Sequence, residues 1–401
     1  MQSILDLIFR RKKCDPLWSS TDPVREELFG VERLEKHATS LAKAQQVAKH
    51  APRVMCLRKR VDENATALLN AYQDSAAEIA RGSVVVPAAE WLLDNYHLVE
   101  QQIREVRDDL PAHYYRQLPK LLNGPFKGYP RVFGLAWAYV AHTDSLVEQE
   151  SLIRFIRAYQ KVQPLTIGEL WAVAITLRIV LIENLRRLAD QISFGRAQRE
   201  EADRLTQTLL ETQSTQATFQ AEIENRSTHP LSLVFASQLA KRLRDQDPKT
   251  TPALEWLTLR LSKQQLTIDK IVKLEQQRQG ASNVSIRNVI TSMRLISDID
   301  WADLFEAVSL VDQQLNQNTL FSAMDFATRS LYRSAVEQLA RGCNYDEVEI
   351  AKRVIEMAKQ SAATPSDCLG EEQQIERTRI QEPGNYLIGE GRLSFEKSID
   401  Y

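Results

Sequence analysis

With 401 residues, 43% hydrophobic and 26% charged, the chain has the length for two or three domains and the apolar mass for a substantial core, and its composition excludes a disordered polyelectrolyte. Lys and Arg (51) nearly balance Asp and Glu (53), so the net charge of -2 offers no global field for nucleic acid. Only 13 glycines occur, well under the ~7% of average usage, while Leu, Ala, Arg, Gln and Glu abound, so an all-α chain is expected.

Residues 1–21 are expected to form a mobile N-terminal segment. Its opening, MQSILDLIFRRKK, places charge after a short apolar run broken by Asp6, the reverse of a secretory signal. Arg10, Arg11, Lys12 and Lys13 follow Ile4, Leu5, Leu7, Ile8 and Phe9, a composition that can lay an amphipathic turn on an anionic membrane surface or a partner. A solvated, frayed terminus is the plainer expectation.

A first helical lobe is expected over 22–195. Leu28, Val31, Leu34, Ala38, Leu41 and Ala42 recur at three- and four-residue steps, marking one buried face. From Pro87 the same pattern runs through Trp91, Leu92, Tyr96, Val99, Ile103 and Val106 and predicts one helix, stopped at Leu110-Pro111. Gly124, Pro125, Gly128 and Pro130 then make a loop that feeds a helix starting near Arg131. That helix, in GYPRVFGLAWAYVAHTD, ends in His142, Thr143 and Asp144. His and Asp are acid–base residue types, but two positions apart on a helix they do not face each other, and no G-x-S-x-G elbow supplies a nucleophile. The spacing favours a helix C-terminus, with Thr143, Asp144 or Ser145 capping the next helix.

Thr166-Ile-Gly-Glu169 has the form of a capping box. The helix it opens is predicted to run to about Ile192 and to be buried on most sides, since Leu170, Trp171, Val173, Ile175, Leu177, Val180, Leu181, Leu185 and Leu188 cover more than one stripe. Its most apolar window, Leu170 to Ile182, contains Arg178 and falls short of the ~20 residues that span a bilayer. Arg154, Arg157, Arg178, Arg186 and Arg187 lie on or beside apolar helices, and a buried guanidinium requires a partner; Glu169, Glu183 and Asp144 are the carboxylates at hand for an internal ion network.

Residues 196–230 form a polar, Gln-rich connector that reads as an exposed helix pair, broken at RSTHP. A second lobe, 231–360, is predicted from helices at Leu231 to Asp245, Pro252 to about Gln279, Val284 to Ser297, Trp301 to Gln317 and Ala323 to Gln360, the last interrupted by Gly342 and Asn344. Asp298-Ile-Asp300 resembles the carboxylate pair that holds a metal in many glycosyltransferases, but helical spacing precedes it, so capping of the helix at Trp301 is expected. Residues 361–401 are rich in turn formers and make a linker or docking tail. The whole suits a multi-helix array, an irregular α-solenoid or bundle with an extended C-terminal tail. The common phosphate, dinucleotide, zinc and calcium motifs do not occur, and the four cysteines have no C-x-x-C spacing, as expected of reduced cytosolic thiols.

Several ordered strings resemble the N-terminal region of the cyclic β-1,2-glucan synthases, bacterial inner-membrane glucosyltransferases: DNYHLVEQQIREVRDDLPA (94–112), YYRQLPKLL (114–122), GYPRVFGLAWAYVAHTD (128–144), RAYQKVQPLTIGELWAVAITLRIVLIENLRRLAD (157–190), SMRLISDIDWADLFEAVSLVD (292–312), MDFATRSLYRSAVEQ (324–338) and PGNYLIGEGR (383–392). The resemblance implies UDP-glucose-dependent glucan synthesis in which UDP-glucose and a divalent metal are bound by a downstream membrane module. It assigns no cofactor and no catalytic residue to this chain, which lacks the Arg-Trp dipeptide of that module's Gln-x-x-Arg-Trp motif and ends where the membrane portion would begin. The expectation is a non-catalytic cytoplasmic domain at the inner face of the inner membrane, docked on the glucosyltransferase module of the same or a separate chain.

Two alternatives stand beside it. One is a stand-alone remnant of a truncated synthase gene. The other is direct glucan contact, for which Trp91, Trp137 and Trp171, with Trp256 and Trp301, are the stacking residues to watch; a saturable fluorescence change with β-1,2-gluco-oligosaccharides would mark it.

Overall fold

A computed structural model describes residues 16–48, 56–82, 85–109, 112–211, 231–244, 252–317, 319–362, 379 and 381–401. Its helices are α1 (Pro16–Ser19), α2 (Val31–Ala44), α3 (Leu57–Ala80), α4 (Pro87–Asp94), α5 (Tyr96–Asp109), α6 (Ala112–Gln117), α7 (Arg131–His142), α8 (Gln149–Gln160) and α9 (Ile167–Glu211). They continue as α10 (Leu233–Arg244), α11 (Pro252–Lys263), α12 (Ile268–Asp298), α13 (Trp301–Val308), α14 (Leu310–Leu315), α15 (Thr319–Ala323), α16 (Phe326–Gly342), α17 (Glu347–Ala362), α18 (Pro383–Leu387) and α19 (Arg392–Ser398). Two short strands, β1 (Val47–Ala48) and β2 (Lys120–Leu121), pair antiparallel with Val47 opposite Leu121. The all-α expectation is met.

Helix α9 is the organising element. At 45 residues and 1.5 Å per residue it is about 68 Å long, and α3, α5, α7, α10 and α12 pack along it. Every residue from Ile179 to Leu185 is buried, Glu183 and Asn184 included, because neighbouring helices cover this segment on all sides. The expected end near Ile192 is not observed: the helix passes Gly195 and continues to Glu211. The reason is tertiary, because Ala202 and Leu205 pack into a second buried cluster with Phe235, Leu239, Leu243, Leu257 and Ile271, which overrides the weak local propensity. The first and larger cluster runs from Trp18 to Ile399, so residues of both 22–195 and 231–360 share one core.

Other helix boundaries also differ from the sequence reading. The single helix expected over 87–109 breaks at Asn95, whose Nδ2 donates to the Trp91 carbonyl at 2.9 Å and replaces a backbone partner. The helix expected to run from Pro252 to Gln279 stops at Lys263, where Gln265 takes a left-handed conformation (φ 58°) and Thr267 caps α12 through Lys270 N–H. Helix α12 then continues through Gly280 without a break. The segment from Trp301 to Gln317 is divided at Ser309, which caps α14. At the C-terminus α18 and α19 fold back on α16 and α17, burying Tyr386, Leu387, Phe395 and Ile399.

Candidate binding cleft at the start of the central helix

Where α9 begins, the capping box is formed: Glu169 N–H donates to Thr166 Oγ1 at 3.2 Å and Thr166 N–H donates to Glu169 Oε2 at 3.0 Å. Glu169, wholly buried, also accepts from Arg131 Nε at 2.8 Å and from the Arg131 terminal nitrogen, which reaches the Pro164 carbonyl as well. One carboxylate thus pins α7 to the first turn of α9. A second, Glu347 at the start of α17, accepts the Ile167 N–H at 2.6 Å, and the Tyr114 hydroxyl of α6 donates to the Gly168 carbonyl.

These contacts frame a cleft of about 670 Å³ between α6, α9, α16 and α17. Its polar lining includes Tyr114, Arg116, Gln117, Glu337, Arg341, Asn344, Tyr345 and Glu347. Leu118, Pro119 and Ala340 add apolar surface to the same walls. Cys343 is half-buried there, and among the described residues no group of three or more His, Cys, Asp or Glu is placed to hold a metal ion.

Burial, with Glu337 and Glu169 adding to it and the Ile167 N–H opposing it, pushes the Glu347 carboxyl from 4.5 up to about 7. Between those values the folded chain holds a proton that the unfolded chain has released, so stability falls as pH rises through this window, by about 3 kcal/mol in total. Glu347→Gln keeps an acceptor for Ile167 and abolishes the titration. Urea unfolding at pH 5 and pH 8 is expected to show the wild type losing stability that the variant keeps; the same decline in both would exclude Glu347 as the source.

Apart from Thr166 and Glu169, the residues singled out in the sequence fall elsewhere. His142 ends α7 and is buried, its Nδ1 2.7 Å from the Glu27 carbonyl oxygen and its ring stacked on Phe29 at 4.0 Å. Asp144 and Ser145 do not cap the next helix, which starts after Glu148 with no side-chain cap. Both instead adopt left-handed backbone conformations (φ 49° and 65°), and Ser145 N–H closes back on the Val140 carbonyl at 2.9 Å, a Schellman-type end without glycine. The turn is held by α12, whose Ser285 donates to Asp144 Oδ1 at 2.6 Å and whose Ser292 donates to the Ser145 carbonyl at 2.7 Å. Asp300 caps α13 by accepting from Ala302 and Asp303 N–H, as expected.

The arginines divide similarly. Arg187 joins Arg60 on Glu183, Arg186 pairs with Asp190, Arg154 with Glu35, and Arg157 donates to the Ala307 carbonyl. Arg178 uses none of the three carboxylates anticipated for it, reaching Glu105 at 2.8 Å and Gln102 at 3.0 Å on α5. Trp91, Trp137, Trp256 and Trp301 are half-buried against the two cores. Trp171 is 39% exposed, one ring face covered by Phe305 at 4.5 Å. Arg10, Arg11, Lys12 and Lys13 lie outside the described residues, as do Cys14 and Cys368. The cleft itself was not anticipated; its one sequence signal was the Thr166 capping box.

A second concavity, of about 560 Å³, lies beside the C-terminal helices and is lined by Leu320, Tyr332, Glu382, Asn385 and Ile388 among others. Leu320 and Ile388 are each 49% exposed, and Leu331 and Leu393 nearby in the chain are 56% and 71% exposed. Among the described residues no helix is long and apolar enough to cross a membrane.

The fold is therefore that of an α-helical array built on one long buried helix. No protein-family model matches the chain. It is 36% identical over 383 residues to the cyclic β-(1,2)-glucan synthase NdvB of Rhizobium meliloti (strain 1021), an alignment covering 95% of this chain and 13% of that protein. The chain is homologous to a portion of a cyclic β-1,2-glucan synthase.

Proposed function

We propose that this chain is a non-catalytic helical region that docks on the membrane glucosyltransferase module of a cyclic β-1,2-glucan synthase, at the cytoplasmic face of the inner membrane, and supports UDP-glucose-dependent synthesis there. The observation that carries the reading is the alignment: nearly the whole chain matches a stretch amounting to 13% of the relative, leaving the rest of such a synthase to hold UDP-glucose and a metal. Two carboxylates weighed for chemistry in the sequence support it, because Asp144 is engaged in a turn held by Ser285 and Asp300 in a helix cap. The docking face we assign is the C-terminal one, where Ile388 and Leu393 expose apolar side chains beside a groove.

The test is co-purification of the chain with the glucosyltransferase module expressed as a separate polypeptide. Wild-type chain is expected to bind, and Ile388→Asp with Leu393→Asp to weaken binding about tenfold or more, the effect of removing one or two apolar anchors. Undiminished binding by a folded double variant would remove this face from the proposal.

A further inference from the structure

A third pocket lies where the two buried clusters meet along α9. It has a volume of about 260 Å³, an apolar wall of Val86, Pro87, Ala88 and Ile192, and a polar wall that includes Arg199, Glu275, Arg278 and Asn283. Two guanidinium groups converge there. A Cβ placed on Gly195 would lie 3.4 Å from one terminal nitrogen of Arg199 and 3.8 Å from a terminal nitrogen of Arg278, so both cations reach one point over the helix. Only one of them is hydrogen-bonded to a carboxylate: Glu275 accepts from Arg278 Nε at 3.0 Å and from Gln279 at 2.8 Å, and it reaches Arg199 through charge alone, as Glu78 does. Arg199 makes no hydrogen bond or ion pair among the described residues, and Asn283 Oδ1 is buried without a partner.

Like charges brought together in a partly desolvated recess repel unless an anion lies between them. Burial pushes the Arg199 guanidinium below its ordinary pKa; Glu275 and Glu78 oppose this, while Arg278 and Arg196 add to it. The planar fork of arginine matches the oxygens of phosphate, and the Asn283 amide can accept from a P–OH or turn to donate. The recess is also larger than a bare oxyanion requires, leaving room for a small organic body against the apolar wall.

We propose that this pocket binds a phosphate-class oxyanion, either free phosphate or the phosphate of a small ester, between Arg199 and Arg278. Bound there, the anion would join α9 to α12 at the boundary of the two cores.

Isothermal titration of the full chain with inorganic phosphate and with glycerol 3-phosphate tests this. Saturable binding of either, weakened about tenfold or more in Arg199→Gln, is the expected result. Binding of both would mean that the phosphate group alone is recognised, and binding of the ester alone that the apolar wall is needed; each supports the site. Thermal melting provides the folding control: phosphate should raise the wild-type midpoint and not that of Arg199→Gln, whereas without phosphate the variant should melt no lower than wild type. Arg199→Lys, which keeps the charge but loses the fork, should bind with intermediate affinity. No saturable binding of either probe by wild type, or unchanged affinity in both Arg199 variants, would overturn the proposal.

Discussion

Glu183→Ala is expected to lower the stability of the chain by about 3–5 kcal/mol, the usual cost of removing one partner from a buried ion pair. Glu183 is wholly buried in the first half of α9 and accepts from Arg60 at 2.8 and 3.0 Å, from Arg187 at 2.8 Å and from Asn64 at 2.8 Å. Without it, two guanidinium groups that are 6% and 3% exposed face each other with the part-exposed Glu63, 3.4 Å from Arg60, as the one other carboxylate in ion-pair contact among the described residues. Their other contacts do not compensate. Arg187 keeps the Asp22 and Leu17 carbonyls and lies over Trp137, and Arg60 lies over Trp18, so the strain should spread to the N-terminal segment these residues hold. Glu183→Gln, which keeps an acceptor, should cost less. Burial alone would raise the Glu183 pKa, but hydrogen bonds and charge from Arg60 and Arg187 outweigh it and hold the carboxyl below its ordinary value. Its stabilisation is therefore present above the ordinary carboxylate range and is lost as pH falls through the folded value. Chemical denaturation at neutral and acid pH measures both effects, and a neutral-pH loss under about 1 kcal/mol for the alanine variant would contradict this description of the core.

Arg333→Met should be nearly as damaging, at about 3 kcal/mol or more. Arg333 is 2% exposed; it makes a two-pronged contact with Asp312 (3.0 and 2.5 Å), reaches Glu306 at 2.8 Å and lies 4.9 Å over the rings of both Phe305 and Phe326. It thereby ties α16 to α13 and α14. Methionine has similar reach but leaves the Asp312 carboxylate, itself 1% exposed, with Ser309 as its remaining side-chain partner. Glu306 keeps Arg329 at 2.9 Å. The double variant Arg333→Met with Asp312→Leu removes both charges and is expected to recover about 2 kcal/mol, since an apolar replacement of a buried pair is often close to neutral. If the double variant proved less stable than the single one, the loss would have to be assigned to packing on Phe305 and Phe326.

Much of this architecture is visible in residue order because it rests on local rules. The Thr166–Glu169 box, the proline-fed start at Arg131 and the Asp300 cap each depend on residues within four positions of one another, and each forms as the local chemistry requires. The interruption at Gly342 and Asn344 follows from the same reasoning. Boundaries set by distant partners are not visible in this way. Nothing near Ile192 indicates that α9 will continue, because the reason lies in Phe235 and Leu239, which cover Ala202 and Leu205. Asn95 divides an unbroken apolar period through a single side-chain bond. The arginine network was foreseeable as a need for partners, but its pairing was not: Glu105 for Arg178 and Arg60 for Glu183 come from helices whose order in space no local pattern records. The cleft at Glu347 and the convergence of Arg199 with Arg278 are hidden for the same reason.

The most direct test of the docking role is incorporation of labelled glucose from UDP-glucose into glucan by the membrane glucosyltransferase module, with and without this chain added as a separate polypeptide, and by the chain alone. The account predicts that the chain alone incorporates nothing and that adding it raises the module's output, an increase lost with Ile388→Asp and Leu393→Asp. Glucan formed by the chain alone, or a module whose output is the same in its presence and absence, would contradict it.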